Sequence, residues 1–347
     1  MNTSARIRSL SPQSDNRKSA IQNLKWLGLF AIVLTLMIGE AGAQQQANIP
    51  RIGFLLDIPA SALAARIDAF RQGLRDLGYI EGKNIIIEWR DANGNIDHAR
   101  ELADELVRLK VGVLVSPGPS VTRVLREATS TIPIVMAQDT DPVGSGFALS
   151  LAHPGRNITG LASLAPETGG KQMEFLREIS PKITRVAIIG NSNNPGDAQA
   201  LRETVIAAGS IDVFLRYLDV PDIKDIETIF QTAARARADA ILVLGNPILN
   251  AHRKQIVDLA AKHRFPATYG RPEFVEAGGL LYYGTSYNDL ARRAATFVDK
   301  ILKGAKPADL PIEQPKKFDF IINLKAAKQI GLKIPNNVLA RADRVIR

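Results

Sequence analysis

A chain of 347 residues with 46% hydrophobic and 23% charged residues has the composition of a globular protein and the length of about two ordinary domains. That excludes a disordered or fibrous chain. The complete lack of cysteine excludes disulfides, thiolate catalysis, cysteine-ligated metal and a lipid-modified N-terminal cysteine. The formal charge of +9 is partly that of an N-terminal leader. Basic residues elsewhere are interleaved with acids, as in FRQGLRDLGY and ARELADELVRLK, which is the pattern of solvated helix faces rather than of a nucleic-acid stripe.

Residues 1–43 read as a secretory signal peptide. Arg6, Arg8, Arg17, Lys18 and Lys25 precede the 14-residue apolar block WLGLFAIVLTLMIG, followed by AGA, with cleavage expected after Ala43. The block is shorter than the ~20 residues a membrane span needs. The leader holds five of the 44 basic and two of the 35 acidic residues, so the processed chain carries +6. Export without a lipid anchor predicts a soluble protein in the periplasm of a two-membrane bacterium.

From residue 50 the chain alternates short β-branched runs with amphipathic stretches. RIGFLL (51–56) predicts a buried strand, and Leu63, Ile67, Phe70, Leu74 and Leu77 form one helical face that Gly78 stops. Strands are expected at 84–90, 111–115 and 132–137, with a helix over 96–110. The stretch GSGFALSLAHPG (144–155) reads as a short helix ended by Pro154 and Gly155, and NITG (157–160) as the start of a crossing into a second half. The plan then repeats: RVAIIG (185–190), a helix over 196–208, IDVFLRYL (211–218), a helix over 223–237, AILVLG (240–245), a helix over 249–263, and FPATYG (265–270). Arg51 and Arg185 are 134 positions apart and Pro133 and Pro266 are 133 apart, an offset constant enough to imply two similar α/β units with parallel sheets and helices on both faces. After LLYYG (280–284) come a helix over 288–303, the linker GAKPADLPIEQP, the strand FDFIIN (318–323) and two short helices. The chain is therefore expected to cross between the units more than once. One lobe should comprise 50–160 plus about 285–317, and the other 161–284 plus about 318–347.

Ligands of open parallel sheets bind where strand C-termini lead into helix N-termini. The loops in question are DIPAS (57–61), SPGPS (116–120) and QDTDPVG (138–144) in the first half, and NSNNPGD (191–197), NPILN (246–250) and RPEF (271–274) in the second. They supply hydroxyls, amides, Pro, Gly and a few acids, with no nucleophile beside a base. His98, His153, His252 and His263 are not spaced as metal ligands. Asp139 and Asp141 suit turns, caps and ligand contacts better than acid–base chemistry, and the lone GSG is no phosphate cradle. Tyr269, Tyr282, Tyr283 and Tyr287 place four of the six tyrosines within 19 residues, apt for core packing and for a cleft holding an amphipathic solute.

The ordered string FRQGLRDLGYIEGKNIIIEWRDANG, ELADELVRLKVGVLVSPG, STIPIVMAQDTDPVGSGFALSLAHPGRNITGLA, RVAIIGNSNNPG, ADAILVLGNP, FVEAGGLLYYG and RRAATFVDKILKGAKPADLPIEQPKKFDFIINLKAAKQIGLKIPNNVLARAD closely resembles the ABC transporter substrate-binding protein family, with its TrpX-like tryptophan- and tyrosine-binding members. The similarity runs over about residues 50–346. It implies a type I periplasmic binding fold, with two Rossmann-like lobes joined by three crossover strands and a ligand cleft between them. It also implies a non-enzymatic, cofactor-free, monomeric protein that closes on a small polar or amphipathic solute and delivers it to an ABC permease in the inner membrane. A ligand sensor for a chemoreceptor or histidine kinase is the alternative reading, followed by a periplasmic enzyme. For an amino acid ligand, the expected contacts are Ser116 and Ser120 for the carboxylate and Asp57 or Asp141 for the ammonium. Thr140 is a further candidate contact, and Asn191, Asn194, Asn246, Tyr269 and Tyr283 are expected to close from the second lobe.

Overall fold

Continuous apolar runs can be strands only where both faces of the sheet are covered, and RIGFLL and RVAIIG are such runs after their leading arginines. The structure, a computed structural model, describes residues 49–163, 167–209 and 212–347; the signal peptide expected at 1–43 lies outside them. In it, β1 (Arg51–Leu56) and β6 (Arg185–Gly190) are buried along almost their whole length, and each lies second from the edge of its sheet.

The first sheet has the order β2-β1-β3-β4-β5, adding β2 (Ile86–Asp91), β3 (Val113–Ser116), β4 (Ile134–Asp139) and β5 (Ile158–Ala162), all parallel. The second sheet repeats that order as β7-β6-β8-β9-β10, with β7 (Phe214–Asp219), β8 (Ala240–Val243), β9 (Ala267–Tyr269) and β10 (Leu281–Thr285). It is extended by β11 (Phe318–Asn323), antiparallel to β10, and by β12 (Arg344–Ile346). Two mostly parallel α/β units of one plan are thus present, as the 134-residue offset implies.

Helices α1 (Ala64–Asp76), α2 (Ile96–Arg108) and α3 (Pro119–Ala128) follow the first three strands. In the second unit come α4 (Glu167–Ile179), α5 (Pro195–Ala208), α6 (Ile226–Arg235), α7 (Pro247–Ala251), α8 (Arg253–Lys262) and α9 (Glu273–Glu276). Then α10 (Tyr287–Leu302) returns to the first unit, and α11 (Leu324–Gln329) and α12 (Asn336–Leu339) close the second. Local chemistry sets the helix starts. Asn95, Asn194 and Asn246 cap α2, α5 and α7, and Pro opens α3, α5 and α7, where a missing N–H costs nothing.

One face of the first sheet packs Phe54, Phe70 and Leu74 against Ala291, Ala294 and Val298 of α10, while Leu106 and Leu125 cover the other. Helix α10 lies so close to α1 that a Cβ at Gly73 would stand 2.2 Å from the Arg292 carbonyl oxygen. The chain passes between the sheets after Ser163, Thr285 and Glu313. The passages are bound together: Thr285 Oγ1 donates to Ser163 O at 2.6 Å, and Ser286 N donates to Lys317 O at 2.9 Å. Among the described residues no helix is long and apolar enough to cross a membrane.

The short helix expected at 144–155 does not form. Gly146 and Gly155 take left-handed φ of 73° and 69°, Pro142 and Pro154 bound the stretch, and Phe147 and Ala148 donate to Pro142 O, so a series of turns forms around the buried Phe147 ring. Residues 158–162 are a fifth strand rather than a crossing. Gly160 is required there: at φ 136° an added Cβ would lie 2.1 Å from Met136 O. The helix expected over 249–263 is two helices that meet at His252.

Candidate functional site

The C-terminal ends of the two sheets meet across a seam. Thr140, just past β4, lies against the first turn of α5, where a Cβ at Gly196 would come within 2.9 Å of Thr140 Cβ. Arg66 of α1 forms an ion pair and hydrogen bond with Glu273 of α9. Between them stands Tyr287, with the guanidinium of Arg66 4.6 Å and that of Arg271 4.8 Å from its ring centre.

Tyr287 borders three spaces. A cavity of about 80 Å³ is lined from the first lobe by Thr140 and Ser163, and from the second by Thr168, Gln172, Asp197 and Tyr283 among others. An apolar cavity of about 20 Å³ lies on the first-lobe side, against Phe54, Ile67 and Phe70. A wide groove of about 900 Å³ runs outward past Arg66 and Glu273.

Buried charge concentrates here. Asp139 is 1% exposed; burial, with Asp141 adding to it, pushes its carboxyl up to about 7 against the N–H of Asp141, Ser145 and Arg271. Burial likewise pushes Asp197 up to about 6 and raises Asp57. Three buried side-chain oxygens at the seam lack a described partner: Asp139 Oδ2, Thr168 Oγ1 and Glu273 Oε2. Among the described residues no group of three His, Asp or Glu could hold a metal.

The residues expected from sequence divide into groups. Thr140 and Tyr283 line the larger cavity, with the Tyr283 ring set between Phe175 at 5.2 Å and Phe318 at 5.9 Å. Asp57 sits half-buried past the end of β1, facing the charges of Arg271 and Arg66. Asn191, Asn194 and Asn246 gather around Asp197: Asn191 N and Asn246 Nδ2 donate to its Oδ2 at 2.7 and 2.6 Å, and Asn194 Oδ1 accepts its backbone N–H. Ser116 is fully buried and donates to Gly118 O at 2.7 Å, Ser120 lies half-buried in the first turn of α3, and Asp141 Oδ1 accepts from Gly144 N. Tyr269 is 1% exposed, stacked on Phe274 at 4.8 Å, and borders neither cavity. Tyr287 belongs to the tyrosine cluster that the sequence singles out, whereas Arg66, Asp197, Arg271 and Glu273 are not among the residues expected there. The available signal was the arginine standing directly after a strand end in YGRPEF.

Two α/β lobes linked by three passages, with strand ends facing each other over a lined cavity, define a solute-binding protein of the type I periplasmic class. Residues 51–346 match the family described as ABC transporter substrate binding protein, and the chain belongs to that family. A tyrosine-binding protein of Clostridioides difficile (strain R20291) is 22% identical over 303 residues, 85% of this chain and 84% of its own. The crystal structure of a conserved domain protein of Vibrio cholerae O1 biovar El Tor is 28% identical, with a TM-score of 0.76 over 86% of this chain and 100% of its own. A Streptococcus pneumoniae ABC domain in complex with L-Trp is 25% identical, with a TM-score of 0.77 over 86% of this chain and 99% of its own.

Proposed function

We propose that this protein is the periplasmic solute-binding component of an ABC importer, that its solute is an aromatic amino acid, and that it passes this solute to an inner-membrane permease. The observation that carries the reading is the seam itself: both lobes line one cavity, and they touch beside it through Thr140 against Gly196, Arg66 with Glu273 and Arg271 over Tyr287. In such an arrangement a solute held by both lobes shifts the population from open to closed by the contacts it makes only in the closed form. The half-buried Arg66–Glu273 pair, a charge-assisted hydrogen bond, adds about 1.5–3 kcal/mol to closure.

An aromatic solute is supported by the apolar wall of Phe54, Phe70 and Tyr287 beside the cavity that Thr140, Gln172 and Asp197 line, and by the tyrosine- and tryptophan-binding relatives. The leader at 1–43 supports export. A thermal-shift screen of the purified protein against amino acids, sugars, purines and short peptides tests the reading. A solute at 100 times its Kd adds about 2.7 kcal/mol of stability. A melting point unmoved by every solute, together with turnover in a hydrolase panel, would refute it.

A further inference from the structure

We propose that Arg271 receives a carboxylate of the solute and that Asp139, across the seam, receives its ammonium, so that the cleft selects a zwitterionic α-amino acid over solutes lacking either charge. This rests on the solute-binding reading and adds the groups that recognise the solute's charges.

Arg271 follows Gly270 at the end of β9 and is only 7% exposed. Of its five N–H groups, Nε alone has a protein acceptor among the described residues, Gly245 O at 3.3 Å, and one face of the guanidinium lies over Tyr287. Asp57, Asp139, Asp197 and Glu273 surround it with negative charge, yet none accepts a hydrogen bond from it. Glu273 is bonded to Arg66, and Asp197 is held by Asn191 and Asn246. A buried planar fork whose two Nη groups are uncommitted matches a carboxylate in bidentate geometry, and a buried cation without such a partner is costly.

Asp139 presents a carboxyl group that an ammonium beside it would draw into its charged form. Its Oδ1 accepts Asp141 N at 2.8 Å and Ser145 Oγ at 3.5 Å, while Oδ2 is buried with no donor. The next residue, Thr140, lines the larger cavity and touches the second lobe. A guanidinium and a carboxyl group are therefore buried near one another on opposite lobes, with no hydrogen bond between them. An α-amino acid set between them satisfies both ends; a neutral sugar satisfies neither, and a simple acid or amine leaves one charge uncompensated.

Isothermal titration of the purified protein with the twenty amino acids and neutral sugars, then with the decarboxylated amine and the deaminated acid of the best-binding amino acid, tests the proposal. Both analogues are expected to bind about ten- to a hundredfold more weakly than the parent. In Arg271→Gln the difference between parent and amine should collapse, and in Arg271→Lys part of it should survive. In Asp139→Asn the difference between parent and acid should collapse, whereas Asp57→Asn should keep it. If a variant fails to fold by circular dichroism, the wild-type discrimination and Arg271→Lys decide. A protein that binds a sugar but no amino acid, or binds parent and analogues alike, overturns the zwitterion lock and leaves the solute-binding reading standing. Loss of discrimination in Asp57→Asn but not in Asp139→Asn overturns the role of Asp139. Binding of no probe at all overturns both readings.

Discussion

Replacing Asp139 with asparagine should make the protein more stable at pH 8 and no more stable at pH 4. Burial holds the Asp139 carboxyl at about 7 in the folded chain against 3.8 for the ordinary group. The folded state therefore keeps a proton that the unfolded state releases, and between those values stability falls by about 1.4 kcal/mol per pH unit. The contribution is fully present below pH 3.8 and is lost as the pH rises through 7. Over roughly three units that is about 4 kcal/mol, and the unpartnered Nδ2 that asparagine leaves in place of Oδ2 takes back about 1 kcal/mol or more. The opposing effects of Asp141, whose charge raises the carboxyl, and of Ser145 and Arg271, which lower it, are already contained in the value of about 7. Urea denaturation of wild type and Asp139→Asn at whole pH units from 4 to 8 is the assay. The variant is expected to be about 1 kcal/mol less stable at pH 4 and about 2–3 kcal/mol more stable at pH 8. Parallel stability profiles would show that Asp139 ionises in the folded protein as freely as in the unfolded one, and the account of a strained buried carboxylate would fail.

Gly196→Val should block closure, because its Cβ meets Thr140 at 2.9 Å across the seam; solute affinity should fall at least tenfold by titration, with scattering showing an expanded particle at saturation. Arg66→Gln, which removes the ion pair with Glu273, should raise the solute dissociation rate about tenfold in stopped flow with little change in association. Gly73→Leu should force α1 from α10 and lower stability by about 1–3 kcal/mol or more in urea, since the backbone of Arg292 leaves no room for even one carbon; an unchanged midpoint would contradict the packing described.

Much of the architecture was legible because its determinants are local. RIGFLL, RVAIIG and FDFIIN are strands with the bounds read from sequence, since continuous apolar β-branched runs have few other solutions. The misread helix at 144–155 had suitable Leu and Ala content, but backbone conformation at Gly146 and Gly155 decided it. Strand β12, three residues long, has no local signal and exists by pairing with β11. At the site, the loops were legible and their division of labour was not. Asn191, Asn194 and Asn246, expected as ligand contacts, gather around Asp197, and that gathering depends on residues 49 positions apart meeting. Arg271 was invisible as a buried group because its burial is set by Tyr287 sixteen residues later and by carboxylates of the other lobe.

The return of α10 to the first sheet has a consequence for the order in which the molecule can be made. Phe70 and Leu74 are synthesised more than two hundred residues before Ala291, Ala294 and Val298, which cover them. The first lobe therefore cannot seal its core as it emerges from the ribosome; it must wait for almost the entire second lobe to be translated. A nascent chain held open in this way stays threadable for most of its synthesis, as the proposed export requires. It also means that a chain truncated before residue 287 would lose the earlier lobe along with the later helix.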